Sequence, residues 1–233
     1  MGGDSFVRVW DVAQQLKVGE WSHPNSNSFS ALAYAPRSPW LAVADWSGHV
    51  WLLNAADLSL LADWQAFDEG LAVTQIAWSA DETLLATSGQ DTAVRLWQVA
   101  ERSGDLTEPT VFQELPGHGD TATDVAWSPD GTQVATGSHD QKLRVWQVAD
   151  GAEVWQQELY DLVMSVAWSP AGFPLAAARY DGTVLLFDAA NGREMHQLPG
   201  HIGSVDSLAW SRDGAHLASG SADGTVIIWG ITP

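Results

Sequence analysis

The chain has 233 residues, a formal net charge of −19 at pH 7 and no cysteine. Disulfides and thiolate metal sites are therefore excluded, and nucleic acid and anionic membrane surfaces are disfavoured as partners, because both attract clusters of Lys and Arg. No secretory signal and no span of about 18 apolar residues is visible, so we expect a cytoplasmic protein with no membrane contact. The charge favours solubility, and a cationic partner is the alternative interpretation.

Short runs rich in Val, Ala, Leu and Trp alternate with turn sequences such as Pro-Asp-Gly and Asp-Gly along the whole chain. Their spacing of about 8–12 residues, without a helical apolar stripe, predicts an all-β fold of consecutive antiparallel strands. One recurring segment places its aromatic residue at Tyr34, Trp78, Trp127, Trp168 and Trp210. A second ends at Trp10, Leu53, Trp97, Trp146, Phe187 and Trp229. A period of about 43 residues with four strands per unit predicts the blades of a β-propeller.

The repeat divides the chain into six units of a single propeller region. Their predicted bounds are 1–22 (strands c and d only), 23–65, 66–114, 115–157, 158–197 and 198–233 (without strand d). A polar insertion at 101–110 is predicted to be a loop. The units supply about 21 strands, whereas seven complete blades need about 28. We therefore expect an incomplete portion of a seven-bladed ring, part of a larger protein and lacking about 70 residues on the N-terminal side, whose open edges invite self-association.

These units resemble WD40 repeats. The Trp-Asp pair of that family stands at Trp10 and Asp11, and its Gly-His pair stands at 117–118 and 200–201. The resemblance covers essentially the whole chain and implies a WD40-type β-propeller of four-stranded antiparallel blades. It also implies a non-catalytic scaffold for protein–protein interaction, a module of a larger signalling or assembly protein, with a protein or peptide as its partner.

The resemblance further implies a hydrogen-bonded set of His, hydroxyl, Asp and Trp within each blade. The fourth and sixth units match it with His118, Ser138, Asp140 and Trp146, and with His201, Ser221, Asp223 and Trp229. Such a trio of His, Asp and Ser is also found in hydrolases, but its recurrence in two units favours a brace that satisfies a buried indole N–H. The fifth unit has Leu159, Arg179 and Phe187 and keeps only Asp181, so we expect other packing to replace the brace there.

The residue before each b–c turn Asp is predicted to point toward one face of the disc. Gly3 and Ala222 hold two of these positions, and the others, with the neighbouring cation, form the candidate protein-binding face: Trp46, Gln90, His139, Arg179 and Tyr180. Large amphipathic side chains of this kind are enriched at interfaces. The alternative is that they are ordinary loop residues and that Arg179 forms a salt bridge with a neighbouring carboxylate.

Enzyme signatures are absent from the sequence: there is no Walker A loop, no nucleophile elbow and no zincin helix. We therefore expect no enzyme activity, no catalytic or metal-binding residues and no cofactor. The alternative function is a small-ligand-binding or enzymatic propeller that uses the central channel, which requires several polar side chains converging at one height.

Overall fold

A computed structural model describes residues 6–24, 28–99, 101–102, 105–106 and 108–231. These residues include no helix, and so none that could span a membrane. They contain 23 strands, of which two form a small hairpin and the other 21 form six antiparallel sheets in sequence order. The all-β propeller architecture predicted from the sequence is confirmed.

Each sheet is one blade, and the chain passes through its strands in the order a, b, c, d. Blade 1 contains β1 (Val7–Asp11) and β2 (Leu16–Trp21). Blade 2 contains β3 (Phe29–Tyr34), β4 (Trp40–Asp45), β5 (His49–Asn54) and β6 (Leu60–Gln65). Blade 3 begins with β7 (Val73–Trp78), β8 (Leu84–Gly89) and β9 (Val94–Gln98).

The insertion that follows β9 folds as a hairpin, whereas the sequence predicted a loop. The hairpin consists of β10 (Glu101–Arg102) and β11 (Asp105–Leu106), and Arg102 lies opposite Asp105 in its register. The Ser-Gly sequence between the two strands consists of residues that favour turns. Blade 3 then ends with β12 (Thr110–Leu115), which pairs with β9.

The remaining three blades follow the same order. Blade 4 contains β13 (Ala122–Trp127), β14 (Gln133–Ser138), β15 (Lys142–Gln147) and β16 (Glu153–Glu158). Blade 5 contains β17 (Val163–Trp168), β18 (Leu175–Arg179), β19 (Thr183–Phe187) and β20 (Glu194–Pro199). Blade 6 contains β21 (Val205–Trp210), β22 (His216–Ser221) and β23 (Val226–Gly230).

A Ser-x-Asp sequence recurs in the turns between strands a and b, where its side chains hold the turn together by hydrogen bonds. The Ser128 hydroxyl donates to Asp130 Oδ1 at 2.6 Å and accepts the backbone N–H of Gln133 at 2.9 Å. The Thr132 N–H donates to the same Asp130 oxygen at 3.0 Å. These hydrogen bonds, of which the Ser128 hydroxyl contributes most, hold the pKa of Asp130 below its usual value. The same contact joins Ser79 to Asp81 and Ser211 to Asp213.

The hydrophobic core lies in the seams between blades. Five clusters of buried side chains fill the five seams. Three indole N–H groups of the innermost strands also cross a seam, from Trp78 to the Ala33 carbonyl, from Trp127 to that of Ala77 and from Trp210 to that of Ala167, at 3.0–3.1 Å. The innermost strands β3, β7, β13, β17 and β21 consequently lie side by side and line a channel.

The two end blades expose apolar faces of the kind that the other blades bury against a neighbour. Val226 and Ile228 of blade 6 are more than half exposed, and at the other end so are Trp10, Leu32 and Tyr34. Tyr34 occupies the position that Trp78 holds in the next blade, and within the described residues blade 1 has only two strands. Closure into a ring of seven blades remains a prediction.

Candidate protein-binding face

Blades 4 and 6 each contain the predicted brace, but the hydroxyl differs from the predicted one. His118 joins Asp140 through Nδ1 at 3.0 Å and Thr136 Oγ1 through Nε2 at 2.7 Å. The Trp146 indole N–H donates to the same Thr136 oxygen at 2.9 Å. Ser138, the predicted member, instead donates its hydroxyl to the Asp120 carbonyl and accepts the Asp140 N–H, which closes the b–c turn.

Blade 6 differs from the prediction in the same way. His201 contacts Asp223 at 3.0 Å and Ser219 at 2.8 Å, and the Trp229 indole N–H donates to the Ser219 hydroxyl. Ser221, the predicted member, donates to the Gly203 carbonyl instead. The physical reason is register: Thr136 and Ser219 lie in the middle of the second strand beside the indole, whereas Ser138 and Ser221 lie at its end.

The protonation states in blade 4 follow from burial and hydrogen bonding. Burial of the ring lowers the pKa of His118, so it is neutral at pH 7. With Asp140 accepting from Nδ1–H, Nε2 accepts the proton of the Thr136 hydroxyl, which in turn accepts from Trp146. Burial alone would raise the pKa of Asp140, but hydrogen bonds from Gly119 and His118 lower it. Every polar group of the brace is thus satisfied.

The brace has the connectivity of a hydrolase triad without its accessibility. The hydroxyl groups of Thr136 and Ser219 belong to residues with no solvent-exposed surface, so no substrate carbonyl can reach them. Each hydroxyl is also held between an imidazole and an indole. The described contacts therefore favour the structural interpretation of these residues.

Blade 3 has Glu69 at the histidine position of the other two braces, and Arg95 of its strand c contacts the turn Asp instead. The Trp97 indole N–H donates to Thr87 Oγ1 at 3.0 Å, as in blade 4. Arg95 bonds Asp91 and the Ala66 carbonyl, and its guanidinium carbon lies 5.0 Å from the centre of a Phe ring. Desolvation is the largest influence on Asp91 and raises its pKa despite the arginine.

The b–c turns of five blades lie at one face, together with the loops that join strand d to the next strand a. The N–H of each predicted turn residue bonds a carbonyl just before or at the start of strand a: Trp46 to Ser28, Gln90 to Ala72, His139 to Thr121, Tyr180 to Leu162 and Ala222 to Ser204. We call this surface the loop face. Gly3, the sixth predicted position, lies outside the described residues.

Exposure differs among the predicted face residues. Trp46 is 45% exposed and Tyr180 is 56% exposed, while His139 is half-buried. The Gln90 side-chain oxygen accepts the Ala72 N–H at 3.0 Å, which ties this side chain to its own blade. Arg179 pairs with Asp181 and donates to the Leu159 carbonyl at 3.0 Å, so the salt bridge considered from the sequence is present.

Two exposed side chains on the loop face were missed by the sequence analysis. Tyr160 is 84% exposed and Ile202 is 94% exposed. Each directly follows the histidine position of its blade, which is Leu159 in blade 5 and His201 in blade 6. The equivalent residues in blades 3 and 4 are Gly70 and Gly119. Aligning this position across the repeats would have identified both, because glycine is replaced there by a large side chain.

The central channel contains one buried carboxylate whose acceptors are occupied. A cavity of about 390 Å³ lies between the innermost strands of blades 3 to 6. Asp124 in its wall accepts the Ser165 hydroxyl at 2.7 Å and the backbone N–H groups of Val166 and Val125 at 2.9 and 2.8 Å. Burial raises the pKa of Asp124. This residue joins blades 4 and 5, where Trp168 donates within its own blade to Gly172.

A larger cavity, of about 520 Å³, lies between blades 5 and 6 on the opposite face. Its walls include Phe173, Met195, His196 and Asp213. Among the described residues, no group of three or more His, Asp or Glu side chains is arranged to hold a metal ion. Neither cavity contains any of the predicted face residues.

Comparisons with known proteins agree with this architecture. The family described as WD domain, G-beta repeat matches residues 61–98, 109–147 and 192–230, and the Anaphase-promoting complex subunit 4 WD40 domain matches 149–204. No curated protein matches the chain. A chain of the crystal structure of the mitotic checkpoint complex is similar with a TM-score of 0.83 and 22% identity, over 99% of this chain and 70% of that chain, which supports the fold alone. The chain belongs to the WD40-repeat family.

Proposed function

We propose that the chain is a non-catalytic scaffold that binds a protein or peptide partner on its loop face. The observation that carries this proposal is the presence of large exposed side chains on turns fixed by backbone hydrogen bonds, with Trp46 and Tyr180 as the predicted examples. Aromatic groups held in place lose little entropy on binding, which is why they dominate interface energies. The similar chain in the mitotic checkpoint complex belongs to a multiprotein assembly, which is consistent with this role.

The channel-based alternative receives less support from the contacts. A catalytic or ligand-binding channel needs converging polar groups whose hydrogen-bond donors and acceptors are not already used within the protein. Asp124 already accepts hydrogen bonds on both carboxylate oxygens, and Thr74 and Thr123 donate their hydroxyls to carbonyls of the next blade at 2.6 Å. These channel groups join blades, so we assign the channel a structural role.

The charge of the chain guides the choice of partner class. A net charge of −19 opposes binding to phosphate backbones, and a protein or peptide is therefore proposed over nucleic acid. The same charge disfavours an anionic membrane surface.

The test compares two pairs of exposed aromatic side chains. The first variant, Trp46→Ala with Tyr180→Ala, changes the loop face. The control, Phe112→Ala with Phe173→Ala, removes rings of comparable exposure outside that face. We expect the first variant to lose the proteins that the wild type retains in affinity purification, and the control to keep them. Equal recovery by both variants would overturn the proposal.

Self-association through the two open ends is a second proposal, carried by the exposed apolar side chains of Tyr34 in blade 2, Trp10 in blade 1 and Ile228 in blade 6. Open sheet faces of this kind favour head-to-tail contacts, which extend rather than close. We expect sedimentation velocity to show concentration-dependent oligomers that Ile228→Glu reduces. A heat-stable monodisperse monomer at all concentrations would contradict this proposal.

A further inference from the structure

Three neighbouring segments of the loop face bring Tyr160, Tyr180 and Ile202 into one patch. The Leu159 N–H bonds the blade 4 turn at the Gln141 carbonyl, and the Tyr180 N–H bonds the Leu162 carbonyl. A Cβ placed on Gly182 would lie 2.6 Å from the His201 carbonyl, so the Tyr180 turn lies directly against the Ile202 loop. The three exposed side chains thus project from adjoining backbone segments of blades 4 to 6, and we call this part of the loop face the strip.

The backbone beneath the strip is fixed. Arg179 donates to the Leu159 carbonyl at 3.0 Å, and Asp161 Oδ2 accepts the Asp181 N–H at 2.7 Å. Tyr160 itself has a φ of 59°, a left-handed conformation that is unfavourable for a residue with a Cβ.

Blades 4, 5 and 6 each have a carboxylate within two residues of the start of strand a, where the loop face lies. Asp120, Asp161 and Asp206 accept hydrogen bonds only from backbone N–H groups or hydroxyls in the described contacts. The nearby basic side chains are already occupied: Arg179 pairs with Asp181 and Arg144 pairs with Glu153, while Lys142 lies opposite Glu158 in the strand register. The strip therefore combines exposed aromatic rings with unpaired negative charge.

We propose that this strip binds a segment of a protein partner that presents a Lys or Arg side chain beside an apolar one. An aromatic ring attracts a cation over its face, and a nearby carboxylate adds to the attraction. Ile202 and the tyrosine rings provide apolar surface for the neighbouring side chain. This inference rests on the proposed function, which it deepens by naming the chemistry of the partner.

The probes are two fluorescein-labelled synthetic peptides of about ten residues, chosen on the logic of charge complementarity. One alternates arginine and leucine between glycines, and the other has glutamate in place of arginine. Binding to the whole chain is measured by fluorescence anisotropy at low and at physiological ionic strength. We expect the arginine peptide to bind, with an affinity that falls with salt, and the glutamate peptide not to bind.

Two triple variants separate a specific site from general attraction to an acidic protein. Asp120→Asn, Asp161→Asn and Asp206→Asn remove the carboxylates of the strip. Asp57→Asn, Asp150→Asn and Asp188→Asn make the same charge change in turns between strands c and d, on the opposite face. Asparagine keeps one accepting oxygen at each position, but Asp161 accepts backbone N–H groups on both oxygens and loses one of them. Circular dichroism and thermal unfolding of both triple variants therefore accompany the binding measurement, and binding is compared only between folded variants. We expect about tenfold weaker binding for the first triple and less than about twofold for the second.

The double variant Tyr160→Ala with Tyr180→Ala should also lower the affinity for the arginine peptide by about tenfold. Equal weakening by both triple variants, or equal binding of both peptides, would overturn the inference. If neither peptide binds while the tyrosine variant loses the partners found by affinity purification, the proposed function stands and only the cationic partner is excluded.

Discussion

Blades 4 and 6 are braced by hydrogen bonds, whereas blades 2 and 5 fill the same space with apolar side chains. In blade 4 the indole of Trp146 and the hydroxyl of Thr136 are completed by His118. In blade 5 the equivalent positions are Phe187, Ala177 and Leu159, all of which are buried. Blade 2 has Val43 and Leu53 at the hydroxyl and indole positions, and both are again buried.

The difference shows that the brace positions are exchanged as a set. Among blades 2 to 6, those with a Trp at the brace position of strand c have a hydroxyl beside it, at Thr87, Thr136 and Ser219, and the other two have an aliphatic residue there. A buried hydroxyl or indole N–H without a partner costs about 1–3 kcal/mol, whereas replacing all partners by apolar groups can be nearly neutral. Each of blades 2 to 6 therefore has either both the indole and its hydroxyl partner or an apolar residue at both positions.

The largest effect is expected when the set is broken in one place. His118→Leu copies Leu159 into blade 4, leaves the proton of the Thr136 hydroxyl without its acceptor and removes one of the two donors to Asp140 Oδ2. We expect a loss of about 2–3 kcal/mol in the free energy of unfolding, measured by chemical denaturation. The triple variant His118→Leu, Thr136→Ala and Trp146→Phe copies the whole set of blade 5.

The triple variant should lose at least about 1 kcal/mol less than the sum of the three single variants, because the groups act as one network. The matched control is Leu159→Met in blade 5, a volume-conserving change within an apolar site that should cost less than about 1.5 kcal/mol. Additive losses in the triple variant would show that the braces are independent contacts.

A smaller effect distinguishes the two hydroxyls of blade 4. Thr136→Val removes the acceptor of the Trp146 N–H and the partner of His118, and we expect a loss of about 2 kcal/mol. Ser138→Ala removes only turn contacts and should cost about 1 kcal/mol. In blade 3, Thr87→Val should lie between them, because it removes the acceptor of the Trp97 N–H and only a long contact, of 3.5 Å, with the Arg95 carbonyl. A larger loss for Ser138→Ala, measured by the same denaturation, would restore the original prediction.

The sequence alone did not distinguish Ser138 from Thr136 as the hydroxyl that bonds the Trp146 indole. The repeat period and the alternation of apolar residues predicted the sheets and the order of their strands, because every blade carries the same pattern. Thr136 and Ser138 lie two residues apart on one face of β14, so both fit the pattern, and only the position of the indole decides between them. The replacement of glycine by Tyr160 is visible in the aligned repeats, whereas the exposed fraction of its ring depends on how the loop crosses between blades.

The comparison of blades also predicts a dependence on pH. Burial lowers the pKa of His118 from its ordinary value of 6.5 in the folded state, so the unfolded chain binds the proton more readily. This histidine's contribution is therefore fully present above pH 6.5 and is lost as the pH falls toward the folded value. Hydrogen exchange between pH 7 and 5, corrected for intrinsic rates, should show blade 4 opening while blade 5, with Leu159 at this position, changes less. His118→Gln should remove the difference, and its persistence would assign the effect to other groups.

The smallest expected effect is a gain in stability, and it concerns Tyr160 in the strip. The backbone of Tyr160 has a left-handed conformation. Its side chain is mostly exposed, so the ring adds little to the free energy of unfolding. Gly70, its equivalent in blade 3, has a φ of +89°, in the region that glycine adopts without steric cost. We expect Tyr160→Gly to raise the free energy of unfolding by about 0.5 kcal/mol, the relief of the left-handed conformation being partly offset by glycine's greater entropy when unfolded. The same variant should weaken binding of the arginine peptide. A residue that lowers stability but contributes to binding would explain why tyrosine stands here in place of glycine. Lower stability for Tyr160→Gly would instead show that the ring supports the fold.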